Sequence, residues 1–166
     1  MRKALAILIL GLCLSACGIY SFTGTSIQPD VKSICIPTFE YKALRVNPSL
    51  ANELSEALRT QFRRMTRLEQ VEQDADMEII GEITGYDVRA SAVTADEVAA
   101  QNRLTVTVKV EFINHKHEEE SFSGKNFSAY ADYDSSQALD AVESSLCAEI
   151  IEKINEDIFN ATVAQW

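Results

Sequence analysis

Arg103-Leu104-Thr105-Val106-Thr107-Val108-Lys109-Val110-Glu111-Phe112-Ile113-Asn114 alternates almost without fault between apolar and polar side chains. Period two is the geometry of a strand, whose successive side chains leave opposite faces. Leu104, Val106, Val108, Val110 and Phe112 share one side; Arg103, Thr105, Thr107, Lys109 and Glu111 share the other. One face is buried and one is wet, which favours antiparallel neighbours.

Those neighbours are legible on both sides. Downstream, Asn114-His115-Lys116-His117-Glu118 supplies a turn, and Phe122 to Tyr133 returns with Phe127, Ala129, Ala131 and Tyr133 on one face. Upstream, Met77-Glu78-Ile79-Ile80-Gly81-Glu82-Ile83 turns Met77, Ile79 and Ile83 to one side. Gly85 marks a bulge, after which Tyr86 and Val88 take over the inward phase. The small, polar residues 89–101 form a long hairpin connection, and connections of that length tend to be functional.

Further out lie two helices and a first strand. Val31 to Phe39 reads as a strand near a sheet edge, given Pro37. Asn47-Pro48 opens a helix with Asn as cap, and Leu50, Leu54, Leu58, Phe62 and Met65 make its buried face. Arg59, Arg63, Arg64 and Arg67 read as a solvated face suited to the negative helix C-terminus. An acidic bend follows from Glu69 to Asp76. Asp134, followed three residues later by Gln137, fits the start of a second helix, whose stripe is Leu139, Val142, Leu146, Ile150, Ile154 and Ile158. Trp166 ends the chain. The order β-α-β-β-β-α predicts an α+β two-layer sandwich: a mixed or antiparallel four-stranded sheet with both helices packed on one face.

The N-terminal residues carry an address. Arg2 and Lys3 precede an apolar run from Ala4 to Leu14 that is too short to span a bilayer, and small residues follow. Residues 1–16 read as a secretory signal. Its end, Leu14-Ser15-Ala16-Cys17, resembles a bacterial lipobox, which implies acylation of Cys17 as the first mature residue. Two or more acyl chains hold a protein on a membrane where one binds only marginally. Gly18, rather than an aspartate, follows the cysteine, which favours the outer membrane with the globular part in the periplasm. Residues 17–30 are then anchor and linker, and 31–166 a single α+β domain.

Composition narrows the function. The chain of 166 residues is 46% hydrophobic and 24% charged, with a formal charge of −10. Losing Arg2 and Lys3 with the signal makes it more acidic still, which opposes nucleic-acid binding. Any anionic ligand must meet a local basic patch. Cys35 and Cys147 remain after the signal and the anchor are counted, in a compartment where a disulfide persists; a bond between them and two buried free thiols both fit. No G-x-S-x-G, P-loop, H-E-x-x-H or C-x-x-C motif occurs. His115 and His117 sit on a charged turn and make a poor metal site without a carboxylate cage. Nothing indicates catalysis, a metal or a cofactor.

Taken together, the pattern resembles the LPS-assembly lipoprotein family, LptE. The shared features are Cys17-Gly18 with Tyr20 nearby, the Val31–Pro37 strand, the Leu50–Phe62 helix and Ala75-Asp76 leading to Gly81-Glu82-Ile83. The Arg103–Phe112 strand, Phe127 to Tyr133 and the long C-terminal helix complete them. The resemblance implies a plug inside the LptD outer-membrane β-barrel, which helps assemble that barrel and deliver lipopolysaccharide to the surface without catalysis or cofactor. It also implies lipopolysaccharide contact through basic side chains, and the nearest positions are Arg89, Arg103 and Lys125, with Lys116 at the turn. Arginine's fork pairs well with a phosphate of lipid A. The other reading is a periplasmic accessory lipoprotein of another secretion or polysaccharide-export system.

Overall fold

A computed structural model describes residues 26–91 and 100–163. Its elements are β1 (Ser33–Cys35), β2 (Glu40–Tyr41), α1 (Leu50–Met65), β3 (Glu69–Gln70), β4 (Met77–Ser91), β5 (Gln101–Asn114), β6 (Phe122–Asp134) and α2 (Leu139–Val163), with a single 3-10 turn at Glu118–Glu120. The strands run β3-β1-β4-β5-β6, and β2 pairs with β4 beyond β1. This is the expected α+β sandwich, with six strands among the described residues where the sequence suggests four. The two additions, β2 and β3, are two residues each, too short to show a period.

The sheet is mixed. β4, β5 and β6 form an antiparallel meander, whereas β1 and β2 pair parallel with β4. Parallel pairing needs a crossover between strands, and α1 supplies it between β1 and β3. The first strand is confined to Ser33–Cys35 because Pro37, two residues on, has no N–H for a ladder.

The core lies under one sheet face. Leu104, Val106, Val108, Val110 and Phe112 of β5 are all fully buried, between Met77, Ile79, Ile83 and Tyr86 of β4 and Phe127, Ala129, Ala131 and Tyr133 of β6. Burying each large side chain contributes about 1.5–3 kcal/mol. The β4 register shifts between Ile83 and Gly85, which restores Tyr86 to the inner face after the bulge. A second irregularity, between Val110 and Phe112, lies near Gly124, whose φ of 69° is left-handed.

Both helices cover that face. Leu50, Leu54, Leu58 and Phe62 of α1 are fully buried, while Met65 at its end is 53% exposed, against the sequence stripe. Asn47 does cap α1, from two residues before Ser49: its Oδ1 accepts from the Ser49 and Leu50 amides at 3.2 and 3.1 Å. Thr66 stops the helix, its Oγ1 donating to the Phe62 carbonyl at 2.7 Å as the backbone turns extended. Asp134 caps a turn rather than α2. Its carboxylate accepts from the Ser136 amide at 2.8 Å, and the helix starts only at Leu139.

The helices run parallel. Asn47, before α1, contacts Glu143 and Cys147 in the first half of α2; Asn155 reaches the Leu54 carbonyl; and Phe62 meets Phe159 with ring centroids 5.0 Å apart. At their C-terminal end the Ser26 amide donates to the Val163 carbonyl at 2.8 Å. Ser26, Met77, Glu120 and Val163 line one small cleft there. The molecule therefore has a proximal end, where the described chain starts and stops. Its distal end holds the paired ends of β4 and β5 at Ser91 and Gln101 and both helix N-termini. The 25 residues of α2 separate the two ends by about 37 Å at 1.5 Å per residue.

Gly81 is set by close approach. A Cβ there would lie 2.2–2.5 Å from three ring carbons of Phe39, whose amide donates to the buried Ser55 Oγ at 2.9 Å. Overpacking of this kind costs about 1–3 kcal/mol. Gly81→Ala is expected to lower stability by that amount in urea unfolding, and Phe39→Leu in the same chain to recover part of it.

Candidate functional site

The four basic residues singled out in the sequence do not form one patch. Arg89 and Arg103 are register partners at the distal end of β4 and β5, both on the open, helix-free face. Arg89 is exposed, whereas Arg103 is already engaged: its Nε and Nη2 donate to the two Asp132 oxygens at 2.7 and 2.8 Å. The guanidinium also stacks 3.6 Å from the Tyr130 ring centroid. Asp132 raises the Arg103 pKa, and Arg103 in turn holds the Asp132 carboxyl below its ordinary value.

Lys125 lies elsewhere. It pairs with Val110, whose side chain is buried under the helices, so it stands on the helix side at the β6 edge. Its ammonium is 5.2 and 5.4 Å from the Phe122 and Phe127 rings. Lys116 is at the proximal end, 3.5 Å from Asp76. From Arg103 to Asn114 the strand alone covers about 37 Å at 3.4 Å per residue. Only Arg89 and Arg103 are close enough to act together on one phosphate.

Cys35 and Cys147 are both buried free thiols, and the candidate disulfide between them is not formed. Each sulfur has its own surroundings. Cys35 Sγ donates to the Glu72 carbonyl at 3.3 Å, whereas Cys147 Sγ lies 3.7 Å from Asn47 Nδ2 and 3.9 Å from the Tyr86 hydroxyl. Burial raises both thiol pKa values, so neither is a ready nucleophile. Cys17 and most of the 89–101 connection lie outside the described residues. Among the described residues no group of three or more His, Cys, Asp or Glu side chains is placed to hold a metal.

Sequence reasoning missed a polar cluster at the distal end. The Tyr86 hydroxyl donates to Glu143, to which Asn47 Nδ2 also donates at 3.2 Å. Burial, then that bond to Glu143, raises the Tyr86 pKa, so the hydroxyl keeps its proton. The Tyr41 hydroxyl accepts from the Asn47 amide at 3.2 Å and donates to the Arg45 carbonyl at 2.5 Å. Residues 42–46 are thereby held in a fixed loop. Ala43 packs against the core, but Leu44 and Val46 point outward, 103% and 73% exposed. The available signal was Leu44 and Val46, apolar residues outside any period. At the other end the imidazole of His117 meets Asp30 at 3.1 Å.

The family model for lipopolysaccharide assembly, LptE, matches residues 31–162, nearly the whole described chain. The chain belongs to the LptE family. LptE proteins are envelope lipoproteins that work in lipopolysaccharide assembly. No curated protein is a significant match to this LptE chain. Among solved structures, a hypothetical protein from Chlamydia trachomatis is similar in fold, with a TM-score of 0.54 at 9% identity, covering 81% of this chain and 99% of that one. So is uncharacterized lipoprotein B from Nitrosomonas europaea, with a TM-score of 0.50 at 11% identity, covering 77% of this chain and 79% of that one.

Two outcomes check this geometry. Asn47→Ala removes the α1 cap and a link to Glu143, and is expected to cost about 1–2 kcal/mol in denaturant unfolding. Asp30 raises the His117 pKa above 6.5, so while Asp30 stays ionised their ion pair is complete below 6.5 and is lost as pH rises through the raised value. In an NMR titration His117 should titrate above 6.5, and Asp30→Asn should lower its pKa.

Proposed function

We propose that this chain is an outer-membrane lipoprotein, acylated at Cys17, that seats in the lipopolysaccharide-translocating β-barrel, helps it mature and supports lipopolysaccharide insertion at the surface. The family match over residues 31–162 carries the reading. The shape supports it. The described chain begins at Ser26, at the proximal end, so the Leu44 loop and the paired ends of β4 and β5 lie at the opposite end from its start. The open sheet face offers Thr105, Thr107, Lys109, Glu111 and Ser128, side chains suited to the polar lumen of a large barrel. Arg89, beside Arg103, is the basic position best placed to meet a lipid A phosphate.

In this reading the work is steric and adhesive. The folded wedge occupies lumen volume, holds strands of the barrel near their final arrangement and presents a cation at its far end.

Gentle detergent extraction should co-purify the chain with a large β-barrel, and depletion should lower mature barrel and surface lipopolysaccharide together. A clean monomer, or a ring of identical copies, overturns the reading. Leu44→Asp with Val46→Asp should change stability by no more than about 0.5 kcal/mol, as exposed substitutions do, while reducing the co-purified barrel.

A further inference from the structure

The outer surfaces of α1 and α2 leave a groove of about 980 Å³ between them. Its floor is apolar, built from Ala57 and Met65 of α1 and Ile151 and Phe159 of α2. Met65 continues the buried stripe of its helix yet is 53% exposed, because the groove opens over it. Asn155 also lines the groove and is only 2% exposed. Its Nδ2 donates to the Leu54 carbonyl at 3.3 Å, but its Oδ1 has no hydrogen-bond partner. A buried acceptor without a donor is costly, and proteins rarely keep one without a use for it.

The rim gives the sign of the occupant. Glu53 of α1 and Glu152 and Glu156 of α2 stand along it, exposed and without an ion pair among the described residues. Glu56 is held by Arg59, and Arg64 is the single basic residue of the lining. A second copy would bring the same acidic rim on a chain of formal charge −10. Residues 17–25, which precede Ser26, contain no charged side chain to answer the glutamates.

We infer that the groove between α1 and α2 is a docking site for a cationic amphipathic helix of a partner protein. The helix lays an apolar side chain over Ile151 and Phe159, offers an N–H to Asn155 Oδ1 and sets Lys or Arg against Glu53, Glu152 and Glu156. Two parallel helices with an apolar seam receive a third in the helix-in-groove manner. The inference uses the helix side alone and stands apart from the barrel reading, which uses the sheet face and the distal loops.

The test is fluorescence anisotropy of a labelled amphipathic leucine–lysine peptide against the full chain in a neutral detergent. Binding should weaken with salt and fall by about tenfold or more in Glu152→Lys with Glu156→Lys. Glu118→Lys with Glu119→Lys, the same charge change on the distant 3-10 turn, should leave it near the parent value. A leucine–glutamate peptide of the same pattern should not bind. Asn155→Leu should keep or raise Tm while weakening binding, which separates a ligand-facing acceptor from a structural tie. Equal loss in both lysine pairs, or Asn155→Leu lowering Tm with binding unchanged, overturns the inference. So does binding that emerges only when Ile19, Tyr20 and Phe22 are replaced by Ser, since the chain's own lead segment is then the occupant.

Discussion

The register of β5 between β4 and β6 is the constraint on which the rest depends. Five apolar side chains on β5, from Leu104 to Phe112, are fully buried, and a slip of one residue would turn all of them to solvent and bring Arg103, Lys109 and Glu111 under the helices. That penalty far exceeds anything the short edge strands contribute. The two irregularities, in β4 between Ile83 and Gly85 and in β6 opposite Val110 and Phe112, fix which residues oppose it. With the meander set, α1 and α2 have one face to cover. The parallel strands β1, β2 and β3 then fill the remaining edge.

Polar ties refine what burial begins. Asn47 caps α1 and reaches Glu143 and Cys147 on α2, so one side chain fixes the start of one helix against the first half of the other. Tyr86 brings β4 to the same point through Glu143. The loop between β2 and α1 is held beside this point, with Leu44 in water. At the proximal end, Asp76 accepts from the Lys32 and Ser33 amides at 2.8 and 3.3 Å and fastens β1 beside the start of β4.

The meander and both helices were legible because long elements repeat their period many times. Leu104 to Phe112 and Leu50 to Phe62 each announce one face without help from the rest of the chain. β2 and β3 were not legible, since Glu40-Tyr41 and Glu69-Gln70 are too brief to carry a pattern; β2 pairs because it follows β1 along β4, and β3 because α1 delivers it beside β1. Asp134 misled for a similar reason. Its carboxylate serves a local turn as readily as a helix start, and sequence does not distinguish them. The candidate site fared less well. Charge is visible in a sequence, but whether a cation is free is not: Arg103 spends its fork on Asp132, a residue twenty-nine positions away. The groove holding Asn155 was invisible because its walls come from helices more than seventy residues apart.

The parallel course of α1 and α2 gives the molecule an electrical direction. Antiparallel helices cancel their peptide dipoles; these two add, with about half a positive elementary charge at each N-terminus and the matching negative charge at the other pole. An acidic protein thus has its pole least repellent to anions at the distal end, beside Arg89, and its more repellent one at the start of the described chain. A negatively charged headgroup approaching this surface would feel the difference before touching any side chain.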